Sequence, residues 1–202
     1  MARVCDISSF PIDKIADNMT FAVDTNVLYY MHYTKATTYE KVSEYQSLYY
    51  PRFINALLDK DVKLVTTIHN VMELLYIIED TEFDIYKEIN GTADLSKKNY
   101  REIISERNII KTELDTAFLQ IKNIYGILNF EIEVLKIDEF IDCFSMHKCD
   151  NYDYLIIEYL KSKGYNNFIT DDRDFLSIDG VNVYTANKRA VSFAAANRIL
   201  IK

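Results

Sequence analysis

Thr20-Phe21-Ala22-Val23-Asp24-Thr25-Asn26-Val27-Leu28 decides the fold class. Thr20–Val23 is too short and too apolar to be a surface helix, and it reads as a buried strand ending on Asp24. Val27–Met31 is apolar again and opens a helix. A buried strand running straight into a helix is the first unit of an α/β domain.

The same alternation continues outward from this stretch. Val62–Thr66 reads as a second strand, and Thr67 can cap the helix after it, which carries Val71, Leu74, Leu75 and Ile78 at helical spacing. Between the two strands, Tyr39–Leu58 has a helical pattern that Pro51 should kink or divide. Asn90-Gly91 is a turn signal. A long amphipathic stripe follows, from Tyr100 through Ile110, Phe118 and Ile121 to Leu128. Ile132–Leu135 reads as a short strand and Phe140–Met146 as helix. Asp153–Lys163 reads as a helix with Gly164 just past its end. Asn167–Thr170 and Val181–Tyr184 are the last strands. Strands alternating with helices argue for a mainly parallel sheet of four to five strands in a single domain over residues 1–202, with a lead at 1–18.

Composition narrows the chemistry. The chain has 202 residues but only 4 Gly and 2 Pro, and no glycine-loop phosphate motif can be drawn through Gly91, Gly126, Gly164 and Gly180. Acids outnumber bases 31 to 23 for a net charge of −8, which excludes a general polyanion binder. Cys5, Cys143 and Cys149 have no disulfide-scaffold spacing. The start has no apolar signal region, and no apolar stretch is long enough to span a bilayer. The expectation is a cytoplasmic protein without a membrane partner.

The acids fall at telling places. Asp24 ends the first strand, Glu73 lies early in the helix after the second, Asp153 opens the late helix, and Asp172 follows the fourth strand. The crevice beyond the carboxyl ends of the strands is where an open α/β sheet binds ligands. Four carboxylates converging there repel one another, and a hard divalent ion such as Mg²⁺ or Mn²⁺ removes the conflict. Such ions support displacement at phosphorus.

Four motifs in order carry a resemblance. Val23-Asp24-Thr25-Asn26-Val27-Leu28 resembles the opening motif of PIN-domain nucleases, including VapC-type toxins. The segments Leu64–Thr67 and Met72–Leu75 resemble the second, with Glu73 as its acid. Asp153-Tyr154-Leu155-Ile156-Ile157 resembles the third. Phe168-Ile169-Thr170-Asp171-Asp172-Arg173-Asp174-Phe175 resembles the fourth, with Asp172 as its acid. Together they span Thr20 to Tyr184. In two places the chain departs from the family: Glu158 and Tyr159 stand where small residues are usual, and residues 83–128 form a longer helical insertion.

The resemblance implies a PIN-like three-layer α/β/α fold and a metal-dependent endoribonuclease. Asp24, Glu73, Asp153 and Asp172 would be both catalytic residues and Mg²⁺ or Mn²⁺ ligands. Asn26 would orient Asp24 or a phosphate, and Thr170 would hold a bound water. The products would carry a 5′-phosphate and a 3′-hydroxyl. RNA is the implied substrate, with an antitoxin protein and a second copy of the chain as candidate partners.

Plainer readings stand beside these. An Asp at a helix start is commonly a cap. Asp150 is either a fifth ligand or a solvated helix start, Asp174 is a turn acid, and Asp171 should point away from Asp172. Cys143, His147 and Cys149 lack a fourth zinc ligand. His32 and His69 read as core or surface histidines. Tyr29, Tyr30 and Tyr33 could stack on bases, though core packing with a bonded hydroxyl suits most of the 16 tyrosines better. Of the nearby bases Lys35, Arg173, Lys188 and Arg189, Arg173 has positional support as a substrate contact. Rivals are a non-catalytic PIN-fold module binding RNA or protein, and a structure-specific DNA nuclease. A haloacid-dehalogenase-type phosphatase needs a second Asp where Asn26 stands.

Overall fold

A computed structural model describes residues 2–38, 42–60, 62–129 and 148–201. Seven strands form one all-parallel sheet. In chain order they are β1 (Arg3–Asp6), β2 (Thr20–Val23), β3 (Lys63–Thr67), β4 (Gly126–Leu128), β5 (Asn167–Ile169), β6 (Asn182–Thr185) and β7 (Leu200–Ile201). Their spatial order is β4-β3-β2-β5-β6-β1-β7.

The helices among the described residues are α1 (Thr25–His32), α2 (Glu44–Leu58), α3 (Ile68–Asn90), α4 (Lys97–Tyr100), α5 (Ile104–Ile124), α6 (Asn151–Ser162) and α7 (Lys188–Ala196). None of them is long and apolar enough to cross a membrane.

Side-chain alternation along the strands builds two cores. Phe21, Val23, Leu64, Ile169 and Tyr184 pack with residues of α1, α2, α3 and α5. Their chain neighbours Ala22, Val65, Phe168 and Val183 point the other way and pack with Ile156, Ile157 and Leu160 of α6 and Ala190 and Ala194 of α7. Helices therefore cover both faces, as an all-parallel sheet requires. Each fully buried Leu, Ile or Phe contributes about 1.5–3 kcal/mol.

The sheet has more than the four to five strands expected. β1 lies inside the 1–18 lead and pairs with β6 and β7. β4 lies inside residues 83–128, where the amphipathic stripe suggested continuous helix, and pairs with β3. The stripe itself is broken into α4 and α5. Nor does Pro51 divide α2, which runs through it as one helix behind a Ser43–Gln46 capping box. Two local signals work as read: Thr67 accepts from the Asn70 N–H, and Gly91 closes α3 in the left-handed conformation at φ 62°. The strand expected at Ile132–Leu135, the helix expected at Phe140–Met146, and the residues Tyr39, Cys143 and His147 lie outside the described residues.

The strand order sets the position of the crevice. From β2 the chain moves outward to β3 and β4, then returns to the opposite side of β2 as β5 and β6. The loops leaving β2 and β5 thus diverge, which opens a topological switch point between them.

Candidate active site

Two loops are laced together at that switch point. Val23 pairs with Ile169 across the β2–β5 ladder, and the Asp24 N–H donates to the Ile169 carbonyl at 3.1 Å. Asp24 is the N-cap of α1. One of its carboxylate oxygens accepts from the Thr25 N–H at 2.7 Å. The other accepts from Asn26 Nδ2 at 2.7 Å and Thr170 Oγ1 at 2.6 Å. Asn26 Oδ1 accepts from the Asp171 N–H at 3.0 Å, and Thr170 Oγ1 from the Asp172 N–H at 2.9 Å. Asn26 and Thr170 therefore fix Asp24 and, at the same time, the backbone that presents Asp172.

Glu73 and Asn70 approach from α3. The Thr25 hydroxyl donates to Glu73 Oε2 at 2.5 Å, and Asn70 Nδ2 donates to Thr25 Oγ1 at 3.0 Å. Asn70 is buried, and its own carbonyl oxygen is held by the Thr67 hydroxyl at 2.5 Å. Asn70 is a positioning residue that sequence reasoning missed. Its signal was the Thr67-x-x-Asn70 cap, read only as a helix start.

Asp153 stands in the first turn of α6 and Asp172 in the loop after β5. Asp172 accepts from the Asp174 N–H at 2.8 Å. Asp150 caps α6 by accepting from the Asp153 N–H at 2.9 Å, and it is exposed. The cap bond engages one of its carboxylate oxygens, and its charge acts on Asp153.

The acids feel one another. Burial pushes the Asp24 carboxyl up to about 7, with Glu73 and Asp172 adding to the rise against the Thr170 and Thr25 hydrogen bonds. Burial pushes Asp153 up to about 8, helped by Asp24, Asp150, Glu73 and Asp172. Asp172 is also raised, by burial first and then by Asp174, Asp150 and Asp171 against the Asp174 N–H bond. Among the described residues, no Lys or Arg is paired with Asp24, Glu73, Asp153 or Asp172.

Such a set is all-oxygen, net negative and short of cations, which suits a hard divalent ion. As the side chains stand, no three His, Cys, Asp or Glu among the described residues form a group that could hold a metal. Binding would require the carboxylates to turn inward. Asp24 would have to yield a contact to do so, since a carboxylate offers about four acceptor positions and Thr25, Asn26, Thr170 and, at a longer 3.4 Å, Asn70 Nδ2 already address them.

Other candidates fall outside the site. Lys35 is held by Glu82 at 2.7 and 2.8 Å, and Glu82 is buried and also bonded by Tyr33. Lys35 is thus occupied and is not available to a phosphate. Tyr29 bonds Thr81, and Tyr30 joins Gln46 and Asp171, so these hydroxyls serve packing. His32 is a buried histidine bonded to Gln120 and Tyr125. Burial pushes the Cys149 thiol up to about 12, the opposite of what a zinc thiolate needs. Arg173, Lys188 and Arg189 are exposed.

Asp171 does point away from Asp172. Its carboxylate accepts from Gln46 Nε2 at 2.6 Å, Tyr50 at 2.7 Å and Tyr45 at 3.0 Å, all on α2. The Asn187 amide holds its carbonyl at 2.8 Å. This cluster clamps α2 over the end of the sheet beside the site.

No protein-family model matches the chain, and no curated protein matches it.

Proposed function

We propose that the chain is a PIN-like, metal-dependent endoribonuclease. The observation that carries the reading is that Asp24, Asp153 and Asp172 are each raised, with Glu73 and Asp172 among the causes for Asp24 and Asp153, and that none of the four acids has a paired Lys or Arg among the described residues. In this reading the four carboxylates hold Mg²⁺ or Mn²⁺. The ion, when bound, neutralises charge building at phosphorus and makes water a competent nucleophile.

The chain's own groups do the positioning. Asn26 and Thr170 fix the Asp24 carboxylate, and Thr25, itself held by Asn70, orients Glu73. Thr170 also sets the Asp172 backbone, so one hydroxyl couples two of the acids. In this reading water attacks phosphorus in line, giving up a proton to solvent as the P–O bond forms, while the P–O3′ bond breaks and the 3′ oxygen takes a proton from solvent, giving a 5′-phosphate and a 3′-hydroxyl with no covalent intermediate. A cytoplasmic location, an antitoxin partner and a second copy of the chain accompany this reading, and they rest on the motif resemblance alone.

The test is cleavage of RNA and DNA panels by purified protein with Mn²⁺, with Asp24→Asn as control. RNA cleavage that the variant loses by at least about 100-fold, the scale of losing one preorganised electrostatic group, is expected. Equal cleavage by both proteins overturns the assignment. Cleavage of DNA alone would make it a DNA nuclease, and absence of both cleavage and metal binding would make it a binding module.

A further inference from the structure

Beside the acids lies a pocket of about 330 Å³ lined by Lys148, Arg173, Asp174, Leu176, Ser177 and Phe193. Its position follows from the chain: Arg173 and Asp174 directly follow Asp172, and Lys148 lies two residues before the α6 cap Asp150. Several other bases are held in ion pairs, Lys35 with Glu82, Lys97 and Arg101 with Glu79, and Lys161 with Glu158. Among the described residues Lys148 and Arg173 have no carboxylate partner, and both are exposed. Lys148 and Arg173 thus bring two positive groups to this pocket, against the one Asp174 carboxylate in its lining.

The rest of the wall is not that of a plain anion hole. Phe193, 45% exposed on α7, adds an aromatic ring to the lining, and Leu176 adds a buried apolar side chain. Ser177 is already committed. Its hydroxyl donates to the Asp174 carbonyl at 2.7 Å and accepts from the Lys148 N–H at 3.3 Å, which ties Lys148 to the turn Asp174–Ser177. The Asp174 carboxylate repels a second phosphate and accepts from N–H donors. An occupant with one anionic end and one flat, hydrogen-bonding ring matches all of these features.

We infer that this pocket binds one nucleotide of a single strand adjacent to the cleaved phosphodiester, its phosphate on Arg173 and Lys148 and its base on Phe193. The inference rests on the nuclease reading for its place next to the cleaved bond. Aromatic stacking of this kind tolerates any base, and Arg with Lys supplies charge-assisted bonds to phosphate oxygens.

Fluorescence anisotropy with labelled single-stranded 10-mers of RNA and of DNA, in EDTA, separates binding from cleavage. Phe193→Ala should weaken binding about tenfold, within the range for one lost stacked base. Arg173→Ala and Lys148→Ala should each weaken it several-fold and lower the slope of log K against log salt by about 0.7. Lys111→Ala, on α5 and paired there with Asp115, should bind like the wild type. Nucleoside monophosphates should displace the 10-mer at concentrations where inorganic phosphate does not. The RNA and DNA arms decide which sugar the strand carries.

Binding unchanged in Phe193→Ala and Arg173→Ala overturns the pocket assignment, and so does failure of the wild type to bind either strand. The nuclease reading fails separately. If Mn²⁺ supports no cleavage but the three pocket variants lose binding, the pocket stands and hydrolysis does not. If cleavage proceeds and the variants bind normally, hydrolysis stands and the pocket does not.

Discussion

Replacing Asp153 by Asn should stabilise the metal-free protein. Burial and the neighbouring carboxylates lift its carboxyl from 3.8 to about 8. Below about pH 4 the group is protonated in folded and unfolded chains alike, and it costs nothing. Between the two values the unfolded chain ionises while the folded protein keeps its proton. Stability therefore falls as pH rises through that window, and the loss is complete above about pH 8. At about 1.4 kcal/mol per pH unit, full linkage would reach about 5 kcal/mol at pH 8. Asp153 is only half-buried, so solvent screens the charge and a gain of about 1–2 kcal/mol is expected. For a chain of this size that raises Tm by about 2–8 °C.

Asparagine suits this position because, among the described residues, the Asp153 carboxylate accepts no hydrogen bond that the substitution would break; its N–H, bonded to Asp150, is untouched. Thermal melts in EDTA from pH 4.5 to 8.5 should show the variant's advantage growing with pH and then levelling, while other groups cancel in the difference. Added Mn²⁺ should reverse the order, because a bound ion stabilises the wild type by mass action and the variant less. A variant less stable than wild type at pH 8 in EDTA, or an advantage that does not shrink toward pH 4.5, refutes the reasoning.

Thr170→Val removes the hydroxyl that donates to Asp24 and accepts from the Asp172 N–H. The Asp24 carboxyl should climb beyond about 7, so Mn²⁺-dependent cleavage should fall about tenfold at pH 7, the scale of one lost charge-assisted bond, and recover in part at pH 8.5. Thr170→Ser should restore the profile, and a pH–rate curve identical to wild type in the valine variant counts against the role. Tyr50→Phe removes a buried hydroxyl that donates to Asp171 at 2.7 Å and accepts from the Ala186 N–H at 3.2 Å. Leaving that N–H unpartnered should cost about 2–3 kcal/mol by urea denaturation. A loss within 0.5 kcal/mol, about the size of an ordinary surface change, would show that the clamp is not structural.

The central strands were legible because each is a compact apolar run that ends on a residue able to start a helix. Asp24 after Val23 and Thr67 after Thr66 both do so. β1, β4 and β7 were not. β1 has only Val4 and Cys5 apolar between Arg3 and Asp6, and β7 has two residues, so neither shows as an apolar run. In β4, Ile127 and Leu128 also continue the spacing set by Ile121 and Ile124, so the pattern alone cannot separate strand from helix. α2 passes through Pro51 because Tyr50, Phe53, Ile54 and Leu57 on either side are all buried, and that packing outweighs one lost backbone bond. The partner of Lys35 was not legible either, because Glu82 reaches it from α3, a contact between distant segments that no local pattern encodes.

Asp171 and Asp172 make the sharpest comparison in the chain. They are adjacent and identical in type, yet the supply of donors around them differs. Asp171 is saturated by Tyr45, Gln46 and Tyr50, all from α2, and that makes it structural. Glu79 and Glu82 are likewise answered, by Arg101 and Lys97 and by Lys35 and Tyr33. Among the described residues no side chain donates to Asp172 or Asp153 in this way, and their carboxyls rise. Sequence places an acid at the end of a strand, but its role depends on whether the fold brings donors to it. Here the fold supplies donors to the acids that hold helices together and, among the described residues, pairs no cation with the four at the switch point, which is the condition under which a divalent ion has most to gain by binding.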